Sequence, residues 1–251
     1  MRRPGAALLS ILCDRGESGA RPPQSKVKPV PGTFITFEGI DGSGKSTQLR
    51  LLGNFLKANG CDALLTREPG GTTLGLRLRA AVLDATEEVD PLTELLLYAA
   101  DRAQHVRRKL RPALEEGQVV ISDRYADATV AYQGAGRGFS PELISQIVQL
   151  ATEGLKPDLT LLFDLPIEES TNRTARRTGK NSGKLSRDRL DIEKADFHAR
   201  VRDAYLQIAL KEPDRVKLID TSGPVEKTQE HVREIIVPYL QSRGHLAMKY
   251  V

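Results

Sequence analysis

The sequence predicts an α/β fold built on an open, five-stranded parallel sheet with helices on both faces. Three observations predict it. Short apolar runs at residues 34–37, 63–65, 119–121, 159–163 and 216–219 recur with little polar alternation, the pattern of strands buried on both faces. Stretches of helical period separate them, an order that right-handed crossovers join into a parallel sheet. Polar clusters at residues 38–47, 67–72, 123–125 and 222–223 follow directly on four of the runs. Ligands of open parallel sheets bind beyond the carboxyl ends of the strands, where those clusters fall.

Taken in order, the first run leads through a glycine-rich loop into a helix over 45–59, in which Leu49, Leu52 and Leu56 repeat at helical spacing. After the second run, Asp90 and Pro91 are an N-cap and first-turn pair. They open a long helix whose stripe is Leu92, Leu95, Leu96, Ala99, Ala103, Val106 and Leu110. Further helices are expected over 141–151, 167–177, 192–210 and 225–240, and no internal repeat is present.

The 251 residues fit one α/β domain, long enough to bury a sizeable core. Hydrophobic residues make up 39% and charged residues 28% of the chain, and no apolar run approaches the length of a membrane span, so no membrane is expected. Cys13 and Cys61 are the only cysteines, too few for a disulfide framework or a zinc site, which fits a reducing, cytoplasmic setting. The net charge of +4 is concentrated at the start: residues 1–32 hold six of the 37 basic and two of the 33 acidic residues, leaving the remainder balanced. A balanced body speaks against a nucleic-acid partner, whose footprint is a net-basic face. Five prolines and the absence of any period mark residues 1–32 as a disordered leader. It reads as an inert extension, as an organelle transit peptide or, with its short apolar run before Cys13, as an export signal.

The loop Gly39-Ile40-Asp41-Gly42-Ser43-Gly44-Lys45-Ser46-Thr47 is a complete phosphate-binding loop between strand and helix. Its glycines let successive N–H groups curl around an anion, Lys45 reaches the β/γ-phosphates, and Ser46 offers a hydroxyl to Mg²⁺. The helix that follows turns its positive end on the same phosphates. This is an ATP-binding loop of a phosphotransferase. A GTPase would need a guanine-reading Asn-Lys-x-Asp segment, which is absent. Asp123 and Arg124 end the third strand, where an acid can hold the Mg²⁺ shell and an arginine can clamp a second phosphate. Downstream, Arg173, Arg176, Arg177, Lys180, Lys184, Arg187 and Arg189 crowd a segment whose one acid is Asp188. A basic lid over about 173–189 is what charge stabilisation of phosphoryl transfer requires; the plainer alternative is a solvated charged loop.

Four segments, Thr66-Arg67-Glu68-Pro69-Gly70-Gly71-Thr72, Tyr98-Ala99-Ala100-Asp101-Arg102-Ala103-Gln104-His105-Val106, Asp123-Arg124-Tyr125 and Ala131-Tyr132-Gln133-Gly134, resemble in content and order the motif set of thymidylate kinases, over roughly residues 32–240. The resemblance implies a P-loop nucleoside-monophosphate kinase fold over 33–251, transfer of the γ-phosphoryl group of ATP to dTMP with Mg²⁺ as cofactor, and a homodimer. It implies that Asp41 faces the sugar 3′-hydroxyl and that Arg67 and Arg124 hold the acceptor phosphate. Glu68 orders the acceptor site. Tyr98 stacks on the base where the family usually has phenylalanine, Arg102 and Thr129 reach the base, and Tyr132 crowds the 2′ position. Ser46 and Asp123 are the metal-side residues. The loop carries no arginine, which resembles the bacterial-type subclass and assigns catalytic charge to Arg173 and Arg177 of the lid, beside Lys45, Asp123 and Arg124. Two departures are a lid lengthened by residues 178–186 and Ala128 in place of a serine. The alternatives are a kinase for dUMP or dCMP, or a P-loop nucleotide-dependent regulator. His105, Phe197 and Tyr205 are read as structural.

Overall fold

A computed structural model describes residues 30–85, 87–180, 193 and 195–247, with the side chains of 177–180 outside the description. Strands β1 (Thr33–Glu38), β2 (Leu64–Arg67), β3 (Val119–Asp123), β4 (Leu159–Asp164) and β5 (Val216–Asp220) form one sheet in the order β2-β3-β1-β4-β5. Every pairing is parallel. The chain leaves β1 toward β2 and β3 on one side and returns to β4 and β5 on the other, so β1 ends at the switch point where such sheets bind ligands.

Nine α-helices are described: α1 (Lys45–Ala58), α2 (Thr73–Leu83), α3 (Pro91–His105), α4 (Arg111–Glu115), α5 (Ala126–Thr129), α6 (Pro141–Thr152), α7 (Ile167–Lys180), α8 (Ala195–Lys211) and α9 (Val225–Ser242). On one face of the sheet, Ile35, Phe37, Leu161 and Ile219 pack with Leu52 and Leu56 of α1 and Val232, Ile236 and Leu240 of α9. On the other face, Phe34 and Val120 meet Val106 and Leu110, while Leu162 and Val216 meet Val201 and Tyr205 of α8. Phe34 and Ile35 therefore serve opposite faces, as the two-residue period of a strand requires. Cover on both sides explains the apolar runs of β1, β3 and β4, but the edge strands β2 and β5 depart from that expectation, since Leu65 is 37% and Leu218 48% exposed.

Each strand outlasts its apolar run at the carboxyl end, closing on Glu38, Arg67, Asp123, Asp164 and Asp220. Of these terminal residues Arg67 and Asp220 are exposed and Asp123 and Asp164 partly so, whereas Glu38 is buried. Asp90 caps α3 as expected, its side chain accepting from the N–H groups of Leu92 (2.9 Å) and Thr93 (3.2 Å). The helix then passes through a π-helical turn, Val106–Leu110, into α4. The expected core stripe of α3 needs correction: Leu95, Val106 and Leu110 are fully buried, but Leu92 and Leu96 are about half exposed. Two helical regions were not predicted. In α2, Leu74 and Leu76 face solvent while Val82 and Leu83 are buried, so no single apolar stripe announces it. Residues 126–136 form the short α5 and a π-helical stretch, Val130–Gly136, whose period departs from 3.6.

Residues 1–29 of the expected leader lie outside the described residues. Residues 30–32 rest on the body: the Pro31 carbonyl accepts from His245 Nε2 at 3.1 Å, and a Cβ at Gly32 would come within 2.3 Å of the Leu114 carbonyl oxygen. Among the described residues, no helix is long and apolar enough to cross a membrane.

Candidate active site

The loop after β1 closes on itself. Gly39 (φ 134°), Gly42 (φ 76°) and Gly44 (φ 89°) hold backbone conformations that side chains rarely adopt, and a Cβ at Gly39 would meet the Phe163 carbonyl oxygen at 2.3 Å. Within the curl, Lys45 Nζ donates to the carbonyls of Gly39 (2.9 Å) and Ile40 (2.8 Å) and to Ser43 Oγ (3.3 Å). Burial, followed by the neighbouring Arg124 guanidinium, pulls the Lys45 ammonium down to about 8 from its ordinary 10.5. The loop tip is held by α7, where Ser170 Oγ donates to the Asp41 carbonyl at 2.6 Å. At the start of α1, Ser46 Oγ donates to Asp123 Oδ2 at 2.6 Å, joining hydroxyl and carboxylate at one point.

Arg124 stands at the centre. One Nη2 donates to Asp41 Oδ1 (2.8 Å) and to the Tyr132 hydroxyl (3.0 Å), and the guanidinium lies 4.7 Å from the centre of the Tyr132 ring. Tyr132 in turn donates to Asp41 Oδ2 at 3.2 Å. Burial pushes the Asp41 carboxyl up, but Arg124 and then Lys45 outweigh it and hold the group far below its usual range. Asp41 is therefore a fixed carboxylate on the border between the glycine loop and a partly open cleft. That cleft is lined by Asp41, Glu68, Tyr98, Arg102, Arg124, Thr129 and Tyr132, with Pro69, Arg79, Leu83, Ala128 and Gln133.

The floor of the cleft is a buried polar network between β2 and α3. Arg102 is 2% exposed and donates to Glu68 Oε2 (2.8 Å), Thr129 Oγ1 (2.7 Å) and the Tyr125 carbonyl (2.8 Å). The other Glu68 oxygen, Oε1, accepts from His105 Nδ1 at 2.8 Å, and His105 Nε2 is hydrogen-bonded to Thr66 Oγ1 at 2.8 Å. Asp101 accepts from Gly70 N at 3.1 Å. Burial, then Glu68, pushes the Asp101 carboxyl up to about 6.

The structure thus gathers seven of the predicted substrate residues around one cleft and places the eighth elsewhere. Arg67 is exposed and lines a second cleft with Ser46, Asp123, Gly70, Gly71 and Lys109. Arg173 donates to the Thr221 carbonyl at 2.8 Å, beside the loop after β5, rather than reaching Lys45 or Arg124. The Arg177 side chain and the lid residues Lys184, Arg187 and Arg189 lie outside the described residues. Sequence reasoning missed Glu38, the backbone role of Tyr125 and the hydroxyl of Tyr205. The available signal for Glu38 was an acid placed directly after an apolar run.

A lysine-bearing glycine loop at the switch point, joined through one arginine to a separate polar cleft, defines a P-loop nucleoside-monophosphate kinase fold. The family model described as thymidylate kinase matches residues 37–232, and the chain belongs to that family. A thymidylate kinase of Desulfovibrio desulfuricans is 49% identical over 212 residues, covering 84% of this chain and 98% of the relative. One of Pelobacter propionicus is 46% identical over 213 residues, covering 84% and 95%. Among solved structures, the crystal structure of thymidylate kinase from Ehrlichia chaffeensis aligns with a TM-score of 0.64 at 33% identity, covering 82% of this chain and 99% of that one.

Proposed function

We propose that the chain transfers the γ-phosphoryl group of ATP to dTMP, giving ADP and dTDP in dTTP biosynthesis, and that residues 33–251 are its kinase domain. The observation that carries this reading is Arg124, whose guanidinium is bonded at once to Asp41 of the glycine loop and to Tyr132 of the cleft. An acceptor phosphate drawn to Arg124 is brought beside the donor phosphates held by Lys45 and the loop amides. A phosphate oxygen of dTMP then attacks the γ-phosphorus while the bond to the β–γ bridging oxygen breaks, and ADP leaves with that electron pair. Protein catalysis of such a step is alignment and charge neutralisation. Asp41 and Tyr132 meet the sugar, and Tyr98 and Thr129 border the base. Arg102 and Glu68 act from beneath as a rigid floor, since every Arg102 nitrogen already has a protein acceptor. Arg67 and the lid arginines Arg173 and Arg177 supply further positive charge.

The Ser46–Asp123 pair, two oxygens 2.6 Å apart, suits a hard cation that takes few protein ligands and completes its shell with water and phosphate. Mg²⁺ held there supplies neutralisation of the donor phosphates. Bacterial relatives favour action in the cytoplasm, with organelle delivery the alternative if residues 1–32 are a transit peptide.

The reading is tested by measuring ADP release with dTMP, dUMP and dCMP in turn. We expect dTMP to exceed dCMP at least about tenfold in kcat/KM, the discrimination that a shaped cleft can supply. Equal values for dTMP and dCMP would overturn the assignment.

A homodimer is proposed on separate grounds. Leu92 and Leu96, one turn apart on α3 and each about half exposed, share a helix face, an apolar pair suited to contact with a second copy of the chain. Sedimentation is expected to show twice the mass of one chain; a single-chain mass at micromolar concentration speaks against it.

A further inference from the structure

Glu38 is 1% exposed at the end of β1, where a carboxylate brings no apolar packing and loses its water. Its two oxygens are both engaged: Oε1 accepts from the Tyr125 backbone N–H at 2.7 Å, and Oε2 accepts from the Tyr205 hydroxyl of α8 at 2.8 Å. Between Glu38 and its Tyr125 partner lies the turn that carries Arg124. Arg124 has φ 72°, a left-handed conformation that costs a side-chain-bearing residue roughly 1–2 kcal/mol and persists only where the surroundings fix it.

Three ties fix it. The Arg124 N–H donates to the Phe37 carbonyl at 2.9 Å, the Arg124 carbonyl accepts from Ser122 Oγ at 2.8 Å, and the next N–H, that of Tyr125, is taken by Glu38. The first two are neutral hydrogen bonds. The third is made to a carboxyl oxygen and becomes charge-assisted, and correspondingly stronger, when Glu38 is ionised. The Tyr205 hydroxyl links the same carboxylate to the arginine head, accepting from Arg124 Nη1 at 3.4 Å.

We propose that Glu38 is a positioning residue for phosphoryl transfer: by bridging the Tyr125 N–H and the Tyr205 hydroxyl, it locks the left-handed turn that aims Arg124 at Asp41 and Tyr132. This rests on the reading of Arg124 as the acceptor-phosphate residue. Glu38 makes no contact with the cleft itself, being absent from its lining. Its surroundings support the idea. Burial, then Asp127 of α5, pushes the Glu38 carboxyl up to about 7 against the pull of Arg124 and the two hydrogen bonds, while Lys45 of α1 and Arg102 of α3 also feel its charge. The carboxyl group thus keeps both hydrogen bonds in surroundings that oppose its ionisation.

The test compares Glu38→Ala, Glu38→Gln and Tyr205→Phe in the full chain. Loss of the clamp is expected to raise the KM for dTMP about 30-fold in Glu38→Ala and about fivefold in Glu38→Gln, which keeps one acceptor for Tyr125. The KM for ATP should stay within about twofold in both. Tyr205→Phe should follow the Gln variant in direction, and these two carry the test if the Ala variant fails to fold. Equal rises in both KM values would assign the effect to charge near Lys45 and overturn the proposal, as would unchanged dTMP binding in a folded Gln variant. Hydrogen exchange of the Tyr125 amide reads the clamp apart from turnover. It should quicken several-fold in Glu38→Gln because a neutral acceptor holds the amide less tightly, and unchanged protection would count against the clamp. Wild-type protein that releases no ADP with dTMP would instead remove the kinase reading while leaving the exchange result to judge Glu38.

Discussion

Lys45→Met is expected to reduce kcat at least 10²- to 10³-fold, by analogy with the removal of one preorganised charge-stabilising donor, while leaving the fold intact. Lys45 is the ammonium inside the loop curl, and its three acceptors, the Gly39 and Ile40 carbonyls and Ser43 Oγ, aim it where the donor phosphates bind. Methionine keeps much of the volume and removes the charge. Stability should change little, because the ammonium is a desolvated group. With its folded-state pKa at about 8, below the ordinary 10.5, the unfolded chain binds more protons between those values. The contribution of Lys45 to stability therefore rises with pH across that window, and the wild-type profile should lose this component in Lys45→Met. The same shift predicts that kcat/KM for ATP falls as pH rises above about 8, since that parameter reports the free enzyme. Thermal unfolding against pH, together with steady-state ADP release, measures all three; turnover within tenfold of the wild type would remove Lys45 from the chemistry.

What the sequence reveals about such a site depends on how locally the chemistry is written. The donor loop is one unbroken segment between β1 and α1, so its glycines, lysine and serine are read together, and the structure holds them together. Asp123 and Arg124 are legible for a related reason: a charged pair just after an apolar run stands where helical cover ends. The same rule extends to Asp164 and Asp220, and within the cluster at 38–47 it points to Glu38, which the glycine loop overshadowed. Other features require tertiary contact. Alternation along β2 sends Thr66 inward to His105 and leaves Arg67 exposed in the second cleft, a one-residue distinction that motif order does not resolve. Tyr205 was legible as a buried ring from its spacing with Phe197, but its hydroxyl acquires a purpose only when α8 is set against β1. Ala128 and Thr129 of α5 and Tyr132 and Gln133 of the π-helical stretch line the cleft; motif order brings out Thr129 and Tyr132, but the period of their element hides it from a search at 3.6.

The acceptor floor should be the most stability-sensitive part of the molecule, and Glu68→Ala is expected to lower stability by about 3–5 kcal/mol, the usual cost of leaving one buried charge without its partner. Glu68 is 4% exposed and Arg102 2%. The carboxylate is the sole anionic group bonded to that guanidinium among the described residues, and it also receives His105. Thr129 Oγ1 and the Tyr125 carbonyl would remain, but neither carries a charge. For a chain of this size the loss corresponds to a fall in Tm of roughly 6–20 °C. Glu68→Gln keeps an acceptor for Arg102 and should fall between the two. A second signature separates loss of charge from simple loss of volume. Asp101, raised to about 6 by burial and then by Glu68, holds more protons folded than unfolded between its ordinary 3.8 and that value. Its contribution to stability therefore declines as pH rises through this window. Removing the Glu68 charge should narrow the window from above, flattening the stability profile between about pH 5 and 6. Because the Tyr125 carbonyl follows the Arg124 turn, the loosened floor should also raise the KM for dTMP. A Glu68→Ala protein that melts within about 2 °C of the wild type would show that Arg102 finds another counter-charge.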